Sequence, residues 1–160
     1  MKAFRVALRR YGRSREAAFS GQSGFGTDGR WHTRGRLLDY AAQSLSLAAL
    51  ERLVHYKRID ALLPHVRYEI EVPDALIATL GREPAGWNGA DLLPAAQALG
   101  DQWYDGGRTP TLRVPSAVTP GELNLIVNAH HAAWDWKWVV SGPVAYRFDP
   151  RLVELLGARR

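Results

Sequence analysis

The sequence contains no cysteine in 160 residues, which excludes a disulfide scaffold and any metal site built on thiolates. A chain without disulfides suits a reducing compartment, and we therefore expect it in the cytoplasm. No apolar run approaches the roughly 18 residues of a membrane-spanning helix, and the amino-terminal apolar run is too short for a signal peptide. We accordingly expect no association with a membrane.

Long runs of like charge are also missing, although the formal net charge is +5. The basic residues gather loosely in segments 9–15 and 30–36. Such a surface suits a phosphorylated small molecule, an acidic partner or a nucleic acid, and a simply solvated basic face is an equally open interpretation. Arginines and aromatic residues do not interleave in a recognisable nucleic-acid-binding motif, so direct nucleic-acid binding is disfavoured.

Several motifs of common enzyme classes are absent. The glycines fit neither the dinucleotide-binding GxGxxG pattern nor a P-loop, and no GxSxG turn surrounds Ser116. His130 and His131 are adjacent on a predicted strand, where neighbouring side chains point in opposite directions, so we expect no metal site. Rossmann, kinase-like, α/β-hydrolase and metal-dependent interpretations are therefore disfavoured.

The sequence does predict a folded domain. Hydrophobic residues make up 46% of the chain, enough for a single domain over residues 1–160 with a buried core. Periodicity predicts strands over residues 4–8, 66–72, 111–118, 122–131 and 145–150, and helices over residues 42–57, 94–104 and 151–156. Tryptophans spaced by two at Trp134, Trp136 and Trp138 suggest one face of a further strand. Strands and helices without regular βαβ alternation indicate an α+β fold.

Residues 11–36 hold six glycines and little periodicity, which predicts a long loop that Phe19, Phe25 and Trp31 pack against the body. Arg30 lies in this loop, and a guanidinium suits a diphosphate because it stays charged and presents a planar fork of donors. Arg5 lies on the first predicted strand, on a side that faces water or a ligand, and it could bind a diphosphate in the same way. For both residues, an ordinary surface arginine is the alternative.

The clearest helix, over residues 42–57, is apolar on nearly all sides, which is typical of a helix inside a protein. Glu51 falls within this apolar surface and is therefore a candidate buried acid. Burying a lone carboxylate costs several kcal/mol unless it is paired, so Glu51 either has a structural partner or faces a cavity and stabilises a positive charge. Tyr40, just before the helix, is a candidate for stacking on a ligand ring or for a place in the core.

Two further polar residues are candidates for the same cavity. Ser116 follows a proline that interrupts a strand, a position at which side chains are often re-aimed toward a site. Asn124 lies on the polar face of the next predicted strand. For each of them, a solvated face is the alternative interpretation.

In this order, the motifs resemble the RES domain, the toxin of RES–Xre toxin–antitoxin modules. The resemblance runs from about Phe4 to His131, through FRVALRRYG, AFSGQSGFGTDGRWHTRG, LLDYAAQSLSLAALERLVH, ALGDQWYDGG, LRVPSAV and ELNLIVNAHH. It implies a mixed, mainly antiparallel sheet flanked by helices, as in ADP-ribosyltransferases. It further implies cleavage of the nicotinamide–ribose bond of NAD without a metal, with transfer of ADP-ribose to water, phosphate or a protein.

The resemblance also implies roles for individual residues. Arg30 and Glu51 would be catalytic, and the NAD-binding residues would be Arg5, Arg30, Tyr40, Ser116 and Asn124. The implied partner is an Xre-type helix-turn-helix antitoxin, bound to a homodimer of this chain within a hetero-oligomer. The chain departs from the family at His32 and Ala129, where asparagine and proline are common. A basic nucleic-acid-binding protein and a noncatalytic ligand-binding protein are the alternative functions.

Overall fold

A computed structural model describes residues 1–56 and 58–157. The strands are β1 Lys2–Leu8, β2 Asp39–Ala42, β3 His65–Glu71, β4 Ile77–Thr79, β5 Thr111–Pro115, β6 Leu123–Val127 and β7 Val139–Tyr146. The helices are α1 Arg15–Ala18, α2 Gln22–Gly26, α3 Leu45–Leu53, α4 Arg58–Leu62, α5 Pro94–Gly106 and α6 Pro150–Gly157. Turns of 3₁₀ helix occur at Arg9–Tyr11, Asp74–Leu76 and Trp136–Trp138.

The strands of this described part form one seven-stranded sheet in the order β4-β5-β6-β2-β1-β3-β7. Only β4 and β5 run parallel, and every other neighbouring pair is antiparallel. This arrangement confirms the α+β prediction of a mixed, mainly antiparallel sheet. It also places β2 and β6, the strands of two candidate site residues, side by side at the centre.

The register between β2 and β6 sets which side chains share a face. Tyr40 is paired with Ile126 and Ala42 with Asn124, so these side chains lie on one face of the sheet. Asp39 lies on the opposite face because successive side chains alternate. Helix α3 packs against β1 and β2.

Helix α3 has nine residues and is shorter than the predicted helix 42–57, whose last residue, Lys57, lies outside the described residues. Ser44 caps its first turn by accepting a hydrogen bond from the Leu47 amide at 3.1 Å. The expectation of a helix buried on all sides is wrong, since Leu50 is 40% exposed and Val54, just after the helix, is 45% exposed. The helix packs one side on the sheet and leaves the other at the surface.

The glycine-rich segment 11–36 is packed, as expected, but it contains the two short helices α1 and α2. Phe19 and Trp31 are fully buried, whereas the prediction for Phe25 is wrong because its side chain is 53% exposed. The tight packing depends on glycine at Gly21, which has a positive φ of 74° and lies against the Leu37 backbone.

The tryptophan segment is not a strand. Trp136–Trp138 forms a 3₁₀ turn, in which the Asp135 carboxylate accepts the Lys137 amide at 2.9 Å. The Trp134 ring meets the rings of Trp136 and Trp138 edge-on, at centroid distances of 6.0 and 5.2 Å. The true last strand is β7, which ends where the predicted strand 145–150 begins.

Candidate active site

A cavity of about 500 Å³ opens between the glycine-rich segment, α3 and the face shared by β2 and β6. Its volume falls in the range typical of small-molecule sites. Five of the six predicted site residues line this cavity, namely Arg5, Arg30, Tyr40, Glu51 and Asn124. The cavity therefore gathers residues that lie far apart in the sequence.

Glu51 is half-buried on α3, and two neutral donors hold its carboxylate. The oxygen Oε1 accepts hydrogen bonds from Ser116 Oγ at 2.8 Å and from Asn124 Nδ2 at 2.5 Å. Among the side chains that the structure describes, no lysine, arginine or histidine forms an ion pair with Glu51, and none donates a hydrogen bond to Oε2. The two hydrogen bonds thus fix the orientation of the Glu51 carboxylate at the cavity wall without neutralising its negative charge.

Ser116 acts on the cavity through Glu51. Its side chain is 2% exposed, and its hydroxyl accepts the amides of Val118 at 3.1 Å and Thr119 at 3.0 Å while donating to Glu51. A serine hydroxyl has one donor and two acceptor sites, and all three are occupied. The ligand contact predicted for Ser116 stays a prediction, and the contact that the structure records for its hydroxyl is with Glu51.

Asn124 reaches Glu51 from the next strand and is 7% exposed. Its Nδ2 group donates to Glu51, while its Oδ1 atom is buried without a partner in the part of the chain that the structure describes. An unpaired buried acceptor costs about 1–3 kcal/mol. Asn124 therefore contributes to the site through the hydrogen bond that its Nδ2 group donates to Glu51.

Arg5 is buried in an ion pair on the opposite face of the sheet from Tyr40. Its Nη2 donates to Asp39 Oδ1 at 2.5 Å, and its other groups donate to the carbonyls of Ala18 at 2.7 Å and Tyr40 at 2.8 Å. Burial lowers the pKa of the Arg5 guanidinium, and Asp39 opposes that effect. Arg5 is 7% exposed, so its side of β1 is not wet, and because Arg5 also lines the cavity its predicted ligand contact stays a prediction.

Arg30 connects the glycine-rich segment to the loop before α5. Its Nη1 group donates to the carbonyls of Trp87 and of Gly89, the latter at 3.0 Å. The rings of Trp31 and Trp87 pack at 5.2 Å beside this contact. Among the described residues, none accepts a hydrogen bond from Nε or Nη2 of Arg30, which leaves donors for a ligand.

Tyr40 lines the cavity with its hydroxyl 2.9 Å from His32 Nδ1. The opposite ring nitrogen of His32, Nε2, lies 3.1 Å from the Thr27 carbonyl. Burial raises the pKa of Tyr40 and lowers the pKa of His32, so both side chains are neutral near pH 7. No sequence pattern pointed to His32 as a partner of Tyr40.

Three more residues at or behind the cavity were not singled out from the sequence. Asp39 is 2% exposed and accepts the Gly21 amide and the Ser23 hydroxyl, each at 2.7 Å, besides Arg5. Arg52 and His55 line the cavity beside Glu51. Arg52 follows directly on Glu51 along the helix, which was the one available signal for it.

No three histidine, aspartate or glutamate side chains within 1–56 and 58–157 gather as the ligands of a metal ion do. None of the helices described there has the length and apolar character needed to cross a membrane.

The chain is similar in sequence to one protein family and to named toxins. A family model described as the RES domain matches residues 2–149. The chain is 38% identical over 133 residues to the "Prs ADP-ribosylating toxin" of Sphingobium sp. strain YBL2, covering 79% of this chain and 81% of that protein. It is 31% identical over 157 residues to "Toxin Res" of Yersinia enterocolitica, covering 95% and 99%.

A solved structure shares the fold at lower sequence similarity. The "M.tuberculosis MbcT-MbcA toxin-antitoxin complex" contains a chain that superposes with a TM-score of 0.63 at 20% identity. The superposition covers 98% of this chain and 88% of that chain. At this identity the likeness establishes the fold alone.

Proposed function

Because the chain belongs to the RES domain family, we propose that it is a toxin of a toxin–antitoxin system that cleaves the nicotinamide–ribose bond of NAD. The observation that carries the proposal is the Glu51 carboxylate, which two neutral donors orient at a cavity wall without neutralising it. The printed name of the Sphingobium relative, an ADP-ribosylating toxin, supports NAD as the substrate.

The proposed reaction needs a fixed negative charge. As the bond between C1′ of the ribose and the nicotinamide nitrogen breaks, nicotinamide leaves with the bonding electrons and the ribose develops oxocarbenium character. A carboxylate fixed beside that carbon stabilises the developing cation more than the ground state, because the nicotinamide-side ribose gains positive charge. Water, phosphate or a protein nucleophile then bonds to C1′ and gives up its proton.

The remaining groups position the dinucleotide. Arg30 has donors left for a diphosphate, and Arg52 adds a second guanidinium on the same cavity. Tyr40 suits the nicotinamide pocket, and Asn124 lines the same cavity. Holding both ends of NAD in this way presents the scissile bond to Glu51. Ser116 supports this arrangement through its hydrogen bond to Glu51, and Arg5 through its ion pair with Asp39.

The proposed partner is an Xre-type helix-turn-helix antitoxin that covers the cavity, and the proposed compartment is the cytoplasm. We further propose that the toxin is a homodimer within the hetero-oligomer. Exposed apolar side chains on α4 and α6, Ile59 at 64%, Leu62 at 62% and Leu155 at 66%, are consistent with a protein contact on that side. Light scattering of the toxin alone and with its antitoxin measures both stoichiometries.

The direct test is nicotinamide release from NAD, followed by chromatography, with and without phosphate and with a cell extract as a source of protein acceptors. The wild type is expected to release nicotinamide, and Glu51→Ala and Arg30→Ala are each expected to lose at least about a hundredfold of the rate. The exposed residues Glu71 and Arg108 provide the matched controls Glu71→Ala and Arg108→Ala, which should retain the rate. Absence of release under all three conditions would favour a noncatalytic protein.

A further inference from the structure

The hydroxyl of Tyr40 is fixed in direction by a chain of two hydrogen bonds. A backbone carbonyl only accepts, so the 3.1 Å contact between His32 Nε2 and the Thr27 carbonyl requires the proton of the neutral imidazole to be on Nε2. The other nitrogen, Nδ1, then has a lone pair and accepts. At 2.9 Å, the Tyr40 hydroxyl must donate its proton to Nδ1.

We propose that His32 is a specificity-determining residue, which makes Tyr40 present only oxygen lone pairs to the cavity and thereby selects a ligand that carries an N–H donor. This inference rests on the proposed function, in which that donor is the carboxamide of nicotinamide. A ring substituent without an N–H group gives the Tyr40 oxygen lone pairs no donor from the ligand when the ligand excludes water, although the hydroxyl still donates to His32.

The surroundings of His32 prevent the ring from adopting another arrangement. His32 is 2% exposed, and the Gly29 amide donates to its carbonyl at 2.9 Å. A Cβ atom at Gly29 would lie 2.5 Å from His32 Nδ1 and 3.1 Å from the Tyr40 hydroxyl, so only glycine fits against this pair.

Helix α5 supports the same turn from behind. Gln97 Nε2 donates to the carbonyls of Gly29 at 3.0 Å and His32 at 3.3 Å. The Asp101 carboxylate accepts the amide of Thr33 at 2.9 Å and its hydroxyl at 2.7 Å. A turn held at this many points keeps the ring orientation that the selection requires.

The first measurement is independent of activity. Nitrogen-15 NMR of histidine-labelled protein near pH 7 distinguishes the two neutral tautomers, and His32→Asn identifies the signal. We expect His32 to carry its proton on Nε2. A proton on Nδ1 would overturn the inference, since the Tyr40 hydroxyl would then be free to donate to a ligand.

The second measurement compares ligands that differ only in the donor. NAD and its 3-acetylpyridine analogue are equal in charge and similar in size, but the analogue replaces the amide NH₂ by a methyl group. Binding is measured by calorimetry to Glu51→Gln, which removes turnover. We expect NAD to bind at least about tenfold more tightly than the analogue.

Variants at His32 complete the test on the Glu51→Gln background. An asparagine side-chain oxygen lies close to the position of Nδ1 and accepts as it does, so His32→Asn should keep the preference. His32→Leu removes the acceptor, frees the Tyr40 hydroxyl to donate to the carbonyl of either ligand, and should reduce the preference to about twofold or less. An unchanged preference in a folded His32→Leu protein would overturn the inference.

The outcomes separate this inference from the proposed function. If the wild type releases no nicotinamide but the binding preference depends on His32 as described, only the catalytic proposal fails. If nicotinamide is released and both ligands bind equally to Glu51→Gln, the catalytic proposal stands and the selection by His32 is wrong.

Discussion

Replacing Asp39 by alanine should destabilise the protein more than any surface ion pair does. The substitution leaves the Arg5 guanidinium 7% exposed and without its counter-ion, and it removes the acceptor for the Gly21 amide and the Ser23 hydroxyl. Breaking a buried pair by removing one partner costs about 3–5 kcal/mol. Because domains are stable by roughly 5–15 kcal/mol, this loss is a large fraction of the total.

The assay is urea unfolding followed by tryptophan fluorescence. With a denaturant slope of about 2 kcal/mol per molar, the midpoint should fall by roughly 1.5–2.5 M. Asp105→Ala is the matched control, since its carboxylate is 60% exposed, pairs with Arg36 at 2.7 Å and should contribute about 0–1 kcal/mol. If the two variants unfold within about 1 kcal/mol of each other, the Arg5–Asp39 pair does not anchor the glycine-rich segment.

Three further predictions concern packing, pH and the positioning of Glu51. A Cβ atom at Gly100 would lie 1.6 Å from the Trp31 carbonyl oxygen, so Gly100→Ala should lower the melting temperature by several degrees. Gly106→Ala on the same helix is the control, because no atom lies within 4 Å of its added Cβ, and it should be neutral or stabilising by up to about 1 kcal/mol. Burial lowers the pKa of His32 and His65 from 6.5, so the unfolded chain binds more protons than the folded protein below that pH. The free energy of unfolding should therefore fall from pH 6.5 to 5, and it should fall less steeply in His32→Asn. Urea unfolding at several pH values that gives the same pH dependence for both proteins would contradict this. Ser116→Ala removes a donor to Glu51 at 2.8 Å and should lower kcat for nicotinamide release about tenfold to a hundredfold with little change in the Kd for NAD, and a weakened Kd with unchanged kcat would indicate direct contact instead.

The sequence predicts well those elements that are determined by residues close together in the chain, such as capping residues or alternating apolar side chains. Helix α5 begins at Pro94 and is capped by Gly107 with a positive φ of 56°, as the proline and glycines indicate. Strand β6 keeps the predicted alternation, with Leu125 and Val127 in one core cluster and Ile126 in another. In both cases the local signal and the tertiary packing agree.

The failures come from patterns that more than one structure satisfies. Three tryptophans spaced by two fit one face of a strand, yet Trp136–Trp138 forms a capped 3₁₀ turn whose rings pack edge-on around Trp134. Apolar residues in nearly every direction around helix α3 also do not establish that the helix is buried on every side, because Leu50 is 40% exposed. Tertiary packing decided both cases.

For the candidate site, the sequence indicated which residue types to consider but not how they are paired. Glu51 lies on α3, Ser116 directly after β5 and Asn124 on β6, and their convergence depends on the antiparallel register between β5 and β6. The ion pair of Arg5 with Asp39, which lies 34 positions away in the sequence, could not be predicted from the alternation along the first strand. Contacts over such distances leave no periodic signal in a single chain.

The central claim is tested most directly by the effect of Glu51→Gln on nicotinamide release at saturating NAD. Glutamine keeps an oxygen for Ser116 and Asn124 but removes the negative charge. We expect kcat to fall at least about a hundredfold while the Kd for NAD changes by less than about threefold. A variant that retains kcat within about tenfold of the wild type would contradict the claim that this carboxylate stabilises the cationic ribose.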